Sequence, residues 1–313
     1  MKKLLLILVC GVFGTINLLS QEKELAYNFQ IGSEYRYSQE VNMLTRQEMM
    51  GSIINTESFI LGDILCKVYY FDGNNYSIMV SYEKMKVTMN TPYGNMEWNT
   101  EADDPANVRL DILKGFINKP FYIKMTKYGK IIDLTGLDDI VEGIINNYPL
   151  SDEEKMQVKE QVSQSFGEET FIKSFEQLFN IFPGYPVAIG DKWIIESSVY
   201  NNGISINVVT EYEYTEETDD LLVITSNACM KSPEGAQIIE DDTPVDYLVT
   251  GIIESKMILD ASSGWIVEAT QKNHMDITTS VEIPMDGYIK AFMKMITDTK
   301  TTGTIRNIIS GFN

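Results

Sequence analysis

The chain of 313 residues contains a single histidine, His274, and this scarcity excludes several kinds of active site. Zinc proteases of the H-E-x-x-H type and three-histidine metal centres need more imidazoles than are present. His274 and Asp276 are predicted to share one side of a strand, but no G-x-S-x-G elbow supplies a serine nucleophile. Glycine-rich phosphate-binding loops are also missing. We therefore predict no catalytic, cofactor-binding or metal-binding residue, and we expect His274 on the surface or on an edge strand.

Basic residues are scarce as well. The chain has 25 Lys and Arg against 45 Asp and Glu, which gives a formal net charge of −20. Nucleic acids and anionic membrane surfaces are bound through clustered Lys and Arg, so neither is expected as a partner. The acids occur in short groups at predicted turns and helix starts, as is typical of a solvated surface. No segment has the regularly spaced acids of a calcium-binding loop.

Cysteine occurs only three times in the chain. Cys10 lies within the N-terminal apolar run, whereas Cys66 and Cys229 lie in strand-like segments. Neither of the last two belongs to a C-x-x-C or metal-ligand pattern. Buried free thiols are the simplest interpretation, while an oxidising compartment would permit a disulfide between Cys66 and Cys229.

The chain also lacks an apolar run long enough to span a membrane as a helix. Its longest run, Leu4–Phe13, follows Lys2 and Lys3, and a spanning helix needs roughly 20 apolar residues. This pattern predicts a signal peptide over residues 1–20. The position of Cys10 inside the run argues against lipid attachment there. We expect an extracytoplasmic protein, periplasmic or secreted, that is soluble after removal of the peptide and has no transmembrane segment.

Alternating apolar and polar residues predict β-strands in the first and last parts of the chain. Ile60–Phe71 and Tyr76–Met89 alternate on either side of the turn Asp72–Asn75, which predicts a hairpin. Residues 192–283 return to the same pattern. The last stretch, 288–309, is expected to be extended, because its many threonines lose side-chain freedom in a helix.

Residues of about 136–182, between these blocks, have helical spacing. Leu137–Tyr148 carries one apolar stripe, and Ser151 and Glu154 have the spacing of a capping box that opens a second helix. A third stripe, Phe171–Phe182, is interpreted as core packing. We predict an α+β fold with a large curved antiparallel β-sheet, half-barrel-like, and a helical insertion of about three helices. Residues 21–313 are interpreted as a single β-rich domain.

The segment Phe182–Trp193 has the most distinctive pattern, P-x-x-P-V-x-x-G-D-x-W. With Gly32–Tyr37 and the turn Lys127–Ile131 followed by Gly136, it resembles a family of exported bacterial proteins of unknown function. The resemblance implies an extracytoplasmic β-rich fold similar to the half-barrels of lipoprotein carriers, and it brings no catalytic residues. The residues that we interpret as structural are Pro186, Val187, Gly190, Asp191 and Trp193.

The methionine content favours one hypothesis about function. The chain has 16 Met, including Met79, Met85 and Met89, and unbranched thioether side chains suit adaptable apolar surfaces. The first hypothesis is an exported, non-enzymatic binding protein that holds a lipid or other hydrophobic ligand in an apolar groove. The alternatives are a structural or protein-interaction component of the cell envelope, and a hydrolase that uses two carboxylates in a cleft.

Overall fold

The structure, a computed structural model, describes residues 22–49, 51–104, 107–201, 203–240, 243–283 and 289–309. The predicted signal peptide, residues 1–20, lies outside these ranges. The described part is mostly antiparallel β-sheet with four short helices, which confirms the predicted α+β class and the large curved sheet. Within these ranges, none of the helices combines the length and the apolar character needed to cross a membrane.

Thirteen of the strands in the described residues belong to one antiparallel sheet. The strands are β1 Lys23–Glu24, β2 Glu34–Met49, β3 Ser52–Phe71, β4 Asn75–Thr91, β5 Gly94–Asn99, β6 Phe121–Thr126, β7 Ile131–Thr135, β8 Pro186–Val187, β9 Lys192–Asn201, β10 Ile204–Glu217, β11 Leu221–Lys231, β12 Gln237–Glu240, β13 Thr243–Asp260, β14 Ile266–Ile283 and β15 Ile289–Ile309. Their order in the sheet is β7-β6-β4-β3-β2-β15-β14-β13-β11-β10-β9, with β5 beside β4 and β12 beside β13. β1 and β8 form a separate two-stranded ribbon.

The first and last long strands of the large sheet meet at its centre. β2 pairs with β15 in an antiparallel register that places Met43 opposite Thr299 and Leu44 opposite Asp298. β15 is extended, as its threonines predict, and the predicted hairpin is β3 with β4. The pairing brings residues from the two ends of the chain side by side, and no local pattern in the sequence indicates it.

Alternation of side chains gives the sheet two distinct faces. The inner face carries the buried residues Tyr37, Cys66 and Val68, and the outer face carries the residues between them. A β-bulge between Val68 and Tyr70 interrupts the alternation. Tyr70 is therefore 54% exposed, although the sequence pattern assigned it to the same side as Val68.

The described residues contain four helices: α1 Val108–Phe116, α2 Leu137–Asn146, α3 Asp152–Phe166 and α4 Glu168–Phe179. The capping box is present, because the Ser151 N–H donates to Glu154 Oε2 at 2.8 Å and the Glu154 N–H donates to Ser151 Oγ at 3.3 Å. The sequence also predicts a helix capped by Asp104, and this cap was wrong. Asn107 caps this helix instead, accepting from the Leu110 N–H at 3.2 Å.

The helices contribute to a packed core at one end of the inner face. Phe171, Phe175 and Phe179 of α4 are buried there, as their helical stripe predicts. The rings of Phe175 and Phe179 stack at 5.9 Å, and Phe171 meets Phe121 of β6 edge to face at 5.7 Å. Truncation of one such buried aromatic side chain to alanine lowers the free energy of unfolding by about 3–5 kcal/mol.

Cys66 and Cys229, for which the sequence left open a disulfide, are both free thiols. Cys66 is buried on the inner face of β3, and burial raises the pKa of its thiol to about 12. Cys229 is exposed on the outer face of β11, so its predicted burial was wrong. The two thiols cannot meet without rearrangement, because they occupy opposite faces with four strands of the sheet between them.

The distinctive Pro-Val and Gly-Asp residues form main-chain structure. Pro186 and Val187 make up β8 and pair with β1. Gly190 has a φ of +95°, which favours glycine, and the Ala188 N–H donates to Asp191 Oδ2 at 2.8 Å. The resulting tight turn leads the chain from the ribbon into β9.

Trp193 fixes the start of β9 against the helical insertion. Its side chain is buried, and its indole N–H donates to the Ile181 carbonyl oxygen at 2.9 Å. Its ring stacks on Tyr212 of β10 at 5.8 Å. The contacts of this residue join the end of the insertion to the second block of strands.

Candidate functional site

Five methionines lie in two groups on the inner face of neighbouring strands and form what we call the methionine strip: Met43, Met49, Met89, Met96 and Met293. Met96 is directly opposite Met89, and Met49 is directly opposite Met293. Ser58 of β3 lies between Met89 and Met43 in one cross-strand row. Directly opposite residues have Cβ atoms roughly 4.5–5.5 Å apart, so these thioether side chains share one surface.

The methionine strip belongs to neither of the two buried apolar clusters among the described residues. One cluster is the packed core, and the other lies on the inner face of β10–β14 around Val208 and Val249. Met49 and Met96 are 48% and 38% exposed. Ser58, by contrast, is only 8% exposed, as expected of a small side chain flanked by two long ones. The strip therefore consists of two open apolar patches on the inner face, and the polar residues Thr45 and Gln47 of β2 lie between them.

Two polar residues follow Met43 in its cross-strand row, before the row reaches Ile253 on β13. Thr299 lies opposite Met43, and Asn273 lies opposite Thr299 on the next strand. The side-chain oxygen of Asn273 is buried and has no hydrogen-bond partner among the described residues. Buried polar atoms are nearly always hydrogen-bonded in folded proteins, so this unpaired acceptor is an exception in the sheet.

The outer face behind this row carries a groove of about 580 Å³ that crosses five strands, from β3 to β13. Most of its lining consists of two cross-strand rows of outer-face residues, and the rest comes from the inner-face row of Met43, Ser58, Thr299 and Asn273. One row is Glu57, Leu44, Asp298, His274 and Ile252, and the other includes Asn42, Lys300, Lys272 and Glu254. The volume is within the range of small-molecule sites, about 300–1,000 Å³. The groove is amphipathic, since Leu44 and Ile252 stand beside charged neighbours.

His274 lines this groove and is a side chain there that titrates near neutral pH. Its Nδ1 lies 2.7 Å from Asp298 Oδ1, and its Nε2 lies 3.8 Å from Asp276 Oδ2. The hydrogen bond to Asp298 raises the pKa of His274 above its ordinary value of 6.5. The residue is exposed, as predicted, but β14 is an interior strand of the sheet, so the edge-strand alternative was wrong.

We expect the titration of His274 to show this pairing directly. As the only histidine, it gives isolated ring resonances in a proton NMR titration, and the midpoint should lie above pH 6.5. Asp298→Asn should lower it, because the principal hydrogen bond is lost. The pairing contributes stability below about pH 6.5, and this contribution disappears as the pH rises through the folded-state pKa. An unchanged midpoint in Asp298→Asn would show that the contact is absent in solution.

Among the described residues, the carboxyl group whose pKa is raised is that of Glu168, which lies outside the groove. Burial is the largest cause that raises the pKa of Glu168, and Asp138, Asp133 and Asp139 add to it. None of these four acids lines the groove. In the part of the chain that the structure describes, no group of three or more His, Cys, Asp or Glu side chains is arranged to hold a metal ion.

Sequence reasoning identified part of this site and missed the rest. Met85 and Met89 lie on the inner face, as an apolar surface requires, but Met79 of the same strand lies on the outer face. Asp298 was missed as the partner of His274, because the two residues are 24 positions apart in the chain. Gly190 and Asp191, which we interpreted as structural, precede β9 at the edge of the sheet and lie far from both the methionine strip and the groove.

Solved structures give only distant likenesses. A structure of lipovitellin, solved to describe its lipid–protein interactions, has 8% sequence identity to this chain and a TM-score of 0.48. The match covers 91% of this chain and 26% of the lipovitellin chain. A DUF1329 family protein from Desulfovibrio piger has 9% identity and a TM-score of 0.14, with 88% and 87% covered. The β domain of the Bordetella autotransporter BrkA has 8% identity and a TM-score of 0.21, with 85% and 98% covered. The chain thus spans about a quarter of the lipovitellin chain, and these scores carry no argument about function.

Sequence comparison is more informative. No curated protein matches the chain at a significant level. A family model described as a family of unknown function, DUF6263, matches residues 73–266. This range contains the distinctive segment Phe182–Trp193, the helical insertion and the strands from β4 to β13, but not β2, β3 or β15. Because the match covers more than half of the chain, the protein belongs to the DUF6263 family.

Proposed function

We propose that the protein is a non-enzymatic binding protein for a hydrophobic ligand, such as a lipid, and that the methionine strip is its binding surface. The observation that carries the proposal is the register of the central strands. It gathers Met43, Met89 and Met96 into one row and Met49 with Met293 into another, on a face where they join neither buried cluster.

Methionine suits this role physically. Its side chain is unbranched and polarizable, so it adjusts to apolar ligands of different shapes. Each methylene of a ligand that the strip removes from water contributes about 0.8 kcal/mol. A chain of several methylenes on the strip therefore gains enough free energy to offset the loss of its own motion on binding.

The polar residues of the row suggest the shape of the ligand. An apolar chain lying along Met89 and Met43 would place a polar terminus near Asn273, whose buried side-chain oxygen accepts from no described residue. A hydroxyl or amide donor on the ligand would satisfy this oxygen. The predicted signal peptide adds the expectation that such a ligand is met outside the cytoplasm.

A fluorescent acyl-chain probe tests the proposal on the purified protein. Titration with cis-parinaric acid should give saturable enhancement of fluorescence, and an unlabelled fatty acid should displace the probe. Crosslinking in intact cells runs in parallel. A titration without saturation, together with capture of a stable protein partner, would contradict ligand binding and favour the alternative of an envelope interaction protein.

A further inference from the structure

We propose that the outer-face groove is a separate binding site for a compact anion, a phosphate or carboxylate group, held between Lys272 and Lys300. The two lysines lie on the outer face of the sheet, opposite the face that carries the methionine strip, although Met43 of the strip also borders the groove. Its two lysines are directly opposite each other on neighbouring strands, β14 and β15. Both line the groove of about 580 Å³.

The facing lysines are the first observation. Like charges directly opposite on neighbouring strands are destabilising, since their Cβ atoms are only roughly 5 Å apart. Among the described residues, neither Lys272 nor Lys300 lies within 4 Å of a carboxylate, whereas Lys294 on the same strand as Lys300 forms an ion pair with Asp276. Glu254 lies directly opposite Lys272 on β13 and offsets one of the two ammonium charges. The pair keeps one positive charge, which a small bound anion would neutralise.

The surrounding groups confine that anion to the centre of the groove. Glu57 on β3 and Glu254 on β13 lie at its two ends, and Asp298 is occupied by His274 at 2.7 Å. A negative group of the ligand is thus repelled from both ends and attracted to the middle. Asn42 lies opposite Lys300 and offers an amide donor there. The site would take a small oxyanion and not a polyanion.

The neighbouring row explains how a larger ligand would fit. Leu44 and Ile252 line the groove and are 46% and 53% exposed. An apolar substituent on the anion would cover these two side chains and remove them from water. The same oxyanion chemistry is shared by free phosphate and by the headgroup of a phospholipid, and the groove accommodates either source.

His274 provides the readout, because it lines the groove two residues from Lys272 and is the only histidine. The purified protein is titrated at fixed pH and ionic strength with inorganic phosphate, and separately with dihexanoyl phosphatidic acid below its aggregation range. We expect saturable shifts of the His274 ring resonances. Saturation with phosphate identifies a free anion as the ligand, and saturation with the lipid alone identifies a phospholipid headgroup.

Two matched variants decide the assignment. Lys272→Gln/Lys300→Gln should weaken the interaction about tenfold or more, as expected when charge-assisted hydrogen bonds are removed. Lys231→Gln changes an exposed lysine of β11 outside the groove and should leave the titration unchanged. Absence of saturable shifts with both probes, or equal affinity in the double variant and in Lys231→Gln, would overturn the proposal.

Discussion

Replacement of Gly129 by alanine is expected to destabilise the fold by about 3 kcal/mol or more, from a strained backbone and a steric overlap together. Gly129 occupies the tight turn between β6 and β7 with a φ of +98°. A Cβ at this position would overlap the main-chain carbonyl of Phe179 at the end of α4. That carbonyl cannot withdraw easily, because the buried hydroxyl of Tyr27 donates to it at 3.0 Å.

Gly73→Ala is the matched control for Gly129→Ala. Gly73 has nearly the same backbone angle, a φ of +100°, but no heavy atom lies within 4 Å of the position that its Cβ would take. The free energy of unfolding of Gly73→Ala should fall only by the cost of a left-handed backbone at a residue with a Cβ, roughly 1–2 kcal/mol. Urea unfolding of both variants measures the difference. Equal losses of stability would show that α4 does not press on the turn as described.

The second large effect is expected in ligand binding. Met43→Gln/Met89→Gln keeps the length of both side chains but places amides in the central row of the methionine strip. Burial of a methionine side chain against a ligand is worth up to roughly 1.5–3 kcal/mol. Since these side chains are already half-buried, we expect about 2 kcal/mol for the pair, which corresponds to a loss of affinity of roughly thirtyfold.

The control for this double variant is Met79→Gln/Met156→Gln. Met79 lies on the outer face of β4, the same strand as Met89, and Met156 lies on α3 and is 67% exposed. The control should bind the acyl probe with unchanged affinity, and both double variants should retain a cooperative unfolding transition. A similar loss in both would mean that methionine content, and not the position of the strip, determines binding.

Local patterns in the sequence predicted much of the fold. The capping box of Ser151 and Glu154, the aromatic stripe of α4 and the hairpin turn after β3 depend on residues close together in the chain. Each is fixed by backbone propensity or by the spacing of apolar side chains, so a single sequence contains the necessary information.

The candidate sites could not be predicted in the same way, because they depend on the pairing of β2 with β15. Met43 and Thr299 become neighbours across more than 250 positions, and so do Leu44 and Asp298. Register between strands of this length is set by the buried face as a whole, and a slip of one residue would reverse the faces. A methionine could be identified as apolar, but its face and its neighbours could not.

Bulges limited even the local predictions. The alternation that placed Tyr70 beside Val68 fails at one inserted residue, and a further bulge lies between Asp63 and Ile64. A bulge shifts every later side chain to the opposite face. Cys229 shares a face of β11 with Val223, yet Val223 is buried and Cys229 is exposed, so the apolar residues near Cys229 gave no guide to its exposure.

Native mass spectrometry of the purified protein tests the central claim most directly, namely that the methionine strip binds a hydrophobic ligand. The account predicts a bound species with the mass of a lipid, released by organic solvent and depleted in Met43→Gln/Met89→Gln but not in Met79→Gln/Met156→Gln. Protein that carries no such species, and acquires none when lipid extract from the host is added back, would contradict it.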